Sequence, residues 1–271
     1  MTVFTTLELQ RDSRGFTTLW LSRAEKNNAF NAQMIGELIV ALDQIQADTD
    51  LRFVLLRARG KHFSAGADLA WMQQSAELDF QSNLDDAHQL AELMYRLAAL
   101  PVPTLAVVQG AAFGGALGLI GCCDMAIGAH EAQFCLSEVR IGLAPAVISP
   151  FVVQAIGERA ARRYALTAER FSGERARELG LLAESYPAAE LDAQVIAWID
   201  NLLLNSPQAL RASKTLLREV GNGALSPQLR SACENAIARL RVSPEGQEGL
   251  RAFLEKRPPQ WQAAPNTQES R

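Results

Sequence analysis

Two glycine-rich stretches and one glutamate are the residues of this chain whose spacing could do chemistry. Ser64-Ala65-Gly66-Ala67-Asp68 and Gly110-Ala111-Ala112-Phe113-Gly114-Gly115-Ala116 each follow a strand-like run and open a helix-like one. Amides at a helix N-terminus have no partner within the helix and sit at the positive end of its dipole. Two such amides converging on one point would hold an oxyanion. Glycines that only let backbones pack closely would read the same way. Glu138 lies in FCLSEVRIGLAP, between Leu136 and Val139, at the end of an apolar run. Desolvation there would raise its pKa and suit it to general acid–base work. The competing reading is an edge glutamate paired with Arg140.

Other chemistries are weakly indicated. A dinucleotide fingerprint would need glycine at 113, which is Phe. No G-x-S-x-G elbow and no P-loop occur. His62, His88 and His130 share no ligand spacing. Cys122, Cys123, His130 and Cys135 could hold zinc, but small buried cysteines are the simpler reading. Arg23, Lys26, Arg59 and Lys61 flank the loops and could meet phosphates or be solvated surface charge.

The elements that must position these residues follow from periodicity. VFTTLEL (3–9) and FTTLWL (16–21) predict strands about a turn at RDSRG. Met34, Leu38, Ala41, Leu42 and Ile45 predict a helix over 31–48 with Asn31 as N-cap. Residues 51–59 predict a third strand, so strand–helix–strand implies a parallel crossover and an α/β class. A helix follows at 83–100, ended by Pro101 and Pro103. Strands are expected at 104–108, 124–129 and 132–136, with a helix from Gly114–Gly115 to Cys122. After about residue 145 strand signals become rare. Helices are expected at 150–156, 158–167, 172–179, 188–204, 207–220, 227–240 and 244–255. Ser206-Pro207 and Ser226-Pro227 are clean helix starts.

Composition sets the frame. The chain has 271 residues, 48% apolar and 21% charged, which is globular rather than disordered. Twenty-six basic against 30 acidic residues give a formal charge of −4, a poor start for a nucleic-acid binder. The apolar run Thr104–Cys123 is broken by glycines and lacks flanking Lys or Arg, so it reads as buried strand, turn and helix rather than a membrane span. No secretory signal and no disulfide framework are seen, and a reducing cytoplasm is the expected location.

FSAGADL (63–69), VQGAAFGGALGL (108–119), CDMAIGAHEAQF (123–134), SEVRIGLAP (137–145) and FLEKRPPQW (253–261) resemble the enoyl-CoA hydratase/isomerase family, the crotonases. The resemblance implies an α/β fold of the ClpP/crotonase type, a spiral of strand–strand–helix turns. It places that core at 1–200, a helical trimerisation region at 201–261 and a disordered tail at 262–271. A homotrimer or dimer of trimers is implied. The substrate would be an acyl-CoA thioester, with CoA arriving as part of it and no metal or redox cofactor. The thioester oxygen would meet the amides of Ala67 and Gly115, and Glu138 matches a catalytic glutamate. Arg23, Lys26 and Ala29 match the stretch beside pantetheine and nucleotide. Ala65 and Asp68 match positions near adenine and pantetheine. Lys256 matches a lysine that reaches CoA from a neighbouring chain.

One departure stands out. Family hydratases of the usual kind carry a second glutamate where this chain has Gly118. A single glutamate is also the pattern of some enoyl-CoA isomerases. The block 122–171 nonetheless resembles bacterial methylglutaconyl-CoA hydratases of leucine and isovalerate degradation. A related subgroup acts on carboxygeranoyl- or isohexenylglutaconyl-CoA. Such substrates bear a second carboxylate, which is expected to help position water where Gly118 leaves space. Arg140, His88 and Arg96 are the candidates to meet it, with residues 72–96 as one pocket wall.

Overall fold

The computed structural model describes residues 3–262. Strands β1 (Leu7–Arg11) and β2 (Thr17–Leu21) form an antiparallel hairpin. Helix α1 (Ala32–Ala47) then returns the chain to β3 (Val54–Ala58), parallel to β2. Asn31 caps α1, its Oδ1 accepting the Met34 amide at 2.9 Å. The spaced apolar residues of α1 are all buried, as the periodicity predicts. β1 differs from expectation. It starts at Leu7, not Val3, because Thr5 and Thr6 turn aside to donate to the Glu37 carboxylate on α1.

Helices α2 (Leu69–Glu77) and α3 (Phe80–Ala99) lead to β4 (Thr104–Val108), parallel to β3. Next come β5 (Ala111–Phe113), α4 (Gly115–Cys122) and β6 (Met125–Ala129). β6 lies parallel to β4. β7 (Gln133–Cys135) precedes a one-turn 3-10 helix, Glu138–Ile141. Glu138 thus starts a tight turn rather than ending a strand. Then follow α5 (Ser149–Ile156), α6 (Glu158–Thr167), β8 (Phe171–Ser172), α7 (Gly173–Leu179), β9 (Glu184–Tyr186) and α8 (Leu191–Leu203).

Two sheets result. The larger has the order β1-β2-β3-β4-β6-β9 and the smaller β5-β7-β8. The centre of the large sheet is buried on both faces, which suits the apolar runs Val54–Leu56 of β3 and Leu105–Val108 of β4. The chain winds repeatedly from large sheet to small sheet to helix, the expected spiral. The small sheet is extended by single bridges, Ser64 to Ala112 and Phe30 to Ala67. Both glycine loops are therefore stitched to strands of the small sheet or to each other.

The last third is helical: α9 (Pro207–Asn222), α10 (Pro227–Val242) and α11 (Pro244–Leu254). Each begins Ser-Pro, and Ser206, Ser226 and Ser243 accept the amides of Ala209, Leu229 and Gly246. α8 crosses residue 200, and Leu202 is buried with the core. Gln262 closes a final 3-10 turn; the remainder of the expected tail, 263–271, lies outside the described residues. Among the described residues no helix is long and apolar enough to cross a membrane.

Lys214 anchors α9 to the body. Its Nζ is buried and donates to the Val102 carbonyl at 2.9 Å and meets Asp124 Oδ2 at 2.8 Å. Asp124 itself is exposed and its Oδ2 also accepts from the Thr104 amide and hydroxyl at 2.8 and 2.9 Å, so losing Lys214 strips the Val102 carbonyl rather than the carboxylate of its partner. Lys214→Met is expected to lower unfolding free energy by about 1–3 kcal/mol, read from urea melts. Unchanged stability in this variant would show that the anchoring does not rest on Lys214.

Candidate active site

The site forms where the two glycine loops meet. Gly66 has φ +94°, and a Cβ there would lie 3.1 Å from the Phe113 carbonyl oxygen. Gly114 has φ +55° and ψ −123°, a conformation open to glycine. A Cβ on Gly114 would lie 3.2 Å from Glu138 Oε1 and 4.0 Å from the Gly66 Cα. Both loops and the Glu138 carboxyl thus converge on Gly114.

Among the described residues, the two expected amides have no acceptor. Phe30 donates to the Gly66 carbonyl at 2.7 Å and accepts from Asp68 at 2.8 Å, which leaves the Ala67 N–H between them unused. The Gly114 N–H donates to Cys135 at 2.9 Å, while Gly115, first residue of α4, donates to no protein acceptor. Ala67, Gly115 and Glu138 all line one cavity of about 190 Å³. Its other walls are apolar, chiefly Phe30, Trp71, Leu90, Pro145, Val147 and Ile148.

Glu138 Oε2 is buried and has no hydrogen-bond partner among the described residues. Burial pushes the Glu138 carboxyl up from its ordinary range. The pairing with Arg140 does not occur. Arg140 Nη2 instead donates to the Ala168 carbonyl at 2.7 Å.

The expected CoA contacts divide. Arg23 Nη1 donates to Asp68 Oδ2 at 2.7 Å and to the Ala29 carbonyl at 3.0 Å. Asp68 also caps α2 through the Ala70 amide at 2.8 Å. Burial alone would raise Asp68, but Arg23 and the α2 amides outweigh it and hold the carboxyl below its usual range. Arg23, Ala29 and Asp68 therefore brace the loop on one another. Lys26 is exposed, and so is Ala65, whose amide donates to the Asn27 carbonyl at 2.9 Å. Lys256 is exposed beyond α11. The Trp261 carbonyl after it accepts from Arg52, ahead of β3, whereas the oxyanion loop leaves the other end of that strand. Lys256 is not brought to this chain's own site.

Two expectations need correction. Gly118 leaves no space: a Cβ there would lie 2.3 Å from Ile148 Cγ2 and 3.1 Å from Met94 Cε. The start of α5 brings Ile148 across that glycine. The cations proposed for a second carboxylate are also absent from the lining. Arg96 is paired with Asp43 and Glu92, Arg140 is held by Ala168, and His88 is exposed. Of the expected wall 72–96, Leu90 contributes, and Trp71 lies just before it. Gly118→Glu as a single change is expected to cost about 3–5 kcal/mol, from overpacking and a buried unpaired carboxylate. Ile148→Ala alongside it should recover part of this in urea melts. A single variant as stable as the parent would refute the packing argument.

Sequence reasoning passed over Asn28 and Ile148, and weighed His62 only as a metal ligand. The Asn27-Asn28 pair was the one available signal, since asparagine tolerates positive φ and both residues adopt +52°. Nothing local marked Ile148.

A model of the enoyl-CoA hydratase/isomerase family matches residues 11–264. The chain belongs to that family. The crystal structure of an enoyl-CoA hydratase from Shewanella pealeana is similar at a TM-score of 0.90 and 49% identity, covering 95% of this chain and 96% of that one. Pseudomonas aeruginosa AtuE gives 0.91 and 35%, covering 96% and 100%. The 2,3-dehydroadipyl-CoA hydratase of Escherichia coli K12 is 30% identical over 243 residues, 89% of this chain and 92% of that protein. The crotonase fold is thereby established.

Proposed function

We propose that this enzyme reversibly hydrates a 3-methylglutaconyl-CoA-type enoyl thioester to the 3-hydroxy-3-methylglutaryl form. The observation that carries the chemistry is Glu138 Oε2, a buried carboxyl oxygen without a partner beside two unpaired amides. The amides of Ala67 and Gly115 hold the thioester oxygen as enolate charge develops, each worth roughly 2.7–4 kcal/mol in comparable sites. Glu138 takes a proton from water as the water oxygen bonds to C3, and returns that proton to C2 as the enolate collapses, so one water is added and the carboxylate is regenerated. Such a positioned carboxylate typically contributes ~10²–10⁴-fold. CoA is part of the substrate, and the residues in these roles require no further cofactor.

The acyl group is argued from three sources. The segment 122–171 resembles methylglutaconyl-CoA hydratases. A relative is named for 2,3-dehydroadipyl-CoA, the thioester of another diacid. A cavity of about 190 Å³ suits a short acyl chain better than the carboxygeranoyl or isohexenylglutaconyl chains of the related subgroup. The lining holds no cation, so the second carboxylate would lie at the cavity mouth. There solvent, or a neighbouring subunit of a trimer or dimer of trimers, would meet it. A second reading, an enoyl-CoA isomerase, is favoured by Glu138 being the one titratable side chain of that lining.

Mass spectrometry of 3-methylglutaconyl-CoA after incubation with the protein tests this. Gain of one water, lost in Glu138→Gln, is expected. Double-bond migration in a 3-enoyl thioester with no water gained would establish the isomerase instead. Equal water gain by the variant would remove Glu138 from the mechanism.

A further inference from the structure

Beside the cavity lies a set of contacts that none of these roles uses. Asn28 is fully buried, and its amide is spent entirely on main chain. Oδ1 accepts from the Arg23 N–H at 2.8 Å, and Nδ2 donates to the carbonyls of Arg59 at 2.8 Å and His62 at 2.9 Å. One side chain thus ties the 23–30 segment to the loop that leads into Ala67.

The bond to His62 has a consequence across the small sheet. Ser64 N–H donates to Ala111 and Phe113 N–H donates to Ser64, both at 3.0 Å, a parallel ladder. One step back, that pattern would hand the Ala111 N–H to the His62 carbonyl. That carbonyl accepts from Asn28 instead. The His62 ring fills the vacancy: Nδ1 accepts the Ala111 N–H at 2.9 Å. β5 lies close against the ring. A Cβ on Gly110, which has φ +60°, would lie 2.7 Å from His62 Nδ1 and 2.1 Å from the Lys61 carbonyl oxygen. Shortly after His62 comes Ala67, and shortly after Ala111 comes Gly115. The ring therefore joins the two loops that carry the free amides.

We propose that His62, held by Asn28, is a positioning residue that sets the two oxyanion-hole amides relative to each other, and that it does so as a neutral imidazole. The proposal rests on reading Ala67 and Gly115 as that hole. A protonated ring would turn an N–H toward the Ala111 N–H, donor against donor. Of the charged groups on the tied segments, Arg23 is paired with Asp68 and Arg59 with Glu8. Lys61 precedes the ring, and Glu25 and Lys26 are exposed on the turn before Asn28.

The test uses acetoacetyl-CoA, whose bound enolate has a near-ultraviolet band and needs an oxyanion hole but no turnover. His62→Asn keeps an acceptor near the Nδ1 position without titrating, and His62→Leu removes it. The parent is expected to bind the enolate, His62→Asn to stay within a few-fold, and His62→Leu to weaken by roughly 10- to 100-fold, the scale of a small misplacement in a site. If the Leu variant does not fold, the ring itself decides. Nitrogen shifts of His62, one of three histidines in the chain, should show Nδ1 unprotonated. No enolate band in the parent would overturn the oxyanion reading itself. A band in the parent that is equal in both variants, or a His62 Nδ1 that carries a proton, would overturn the clamp alone.

Discussion

Glu138→Gln is expected to cut turnover by orders of magnitude and to make the protein more stable at neutral pH. The two effects share one cause. Burial disfavours the charged carboxyl, so the folded-state pKa lies above the unfolded one. A group shifted that way favours the folded state at low pH and loses that contribution as pH rises through the folded pKa. At neutral pH the carboxylate is held at a cost, with Oε2 buried and unpartnered. Glutamine keeps the shape and removes the charge. The melting temperature should therefore rise while kcat falls by roughly 10²–10⁴-fold. The same shift predicts that the acid limb of kcat/KM in the parent lies above the ordinary glutamate value of about 4.3. A variant that loses activity and also melts earlier would point to structural damage. An acid limb at the ordinary value would remove burial as the tuning device.

What was legible in the sequence was local. α1 announced itself through its apolar spacing and Asn31, and α9 and α10 through Ser-Pro starts, because caps and periodicity lie within a few residues of what they specify. β4 was legible because a fully buried strand is an unbroken apolar run. β5, β8 and β9 were not, being two or three residues each and held by partners distant in the chain. The site divided along the same line. Glycine loops and an acid after an apolar strand are visible as residue types, so the two loops and Glu138 could be singled out; the choice of Ala67 and Gly115 within the loops came from the family resemblance. Gly118 was misjudged for the opposite reason. A missing side chain looks like space until the residue packed over it is known, and Ile148 arrives from another element. Arg140 likewise seemed placed for Glu138 by proximity in sequence, yet the 3-10 turn between them sends its guanidinium to Ala168.

Gly114→Ala should be the most damaging small change in the molecule for catalysis. Its φ of +55° with ψ of −123° lies outside the regions that side-chain-bearing residues adopt readily. Strain alone would cost stability wherever such a glycine stood. Here the new methyl would also press on Glu138 Oε1, 3.2 Å away, and any backbone relaxation would turn the adjacent Gly115 amide. Base and oxyanion donor would move together. Losing one such donor costs about 10²–10³ in kcat in comparable sites, and displacement of the carboxyl adds to that. KM for the CoA ester should change far less, since the contacts expected for the nucleotide lie on the 23–29 segment. Gly157→Ala is the control: its φ is +77°, and a Cβ there would meet nothing within 4 Å. It should lose stability on the order of 1 kcal/mol and keep its kcat. If both alanine variants lost activity in proportion to their melting temperatures, general destabilisation would explain Gly114. If Gly114→Ala lost kcat well beyond its loss of stability, the convergence of the two loops and Glu138 on that one glycine would be what the reaction depends on.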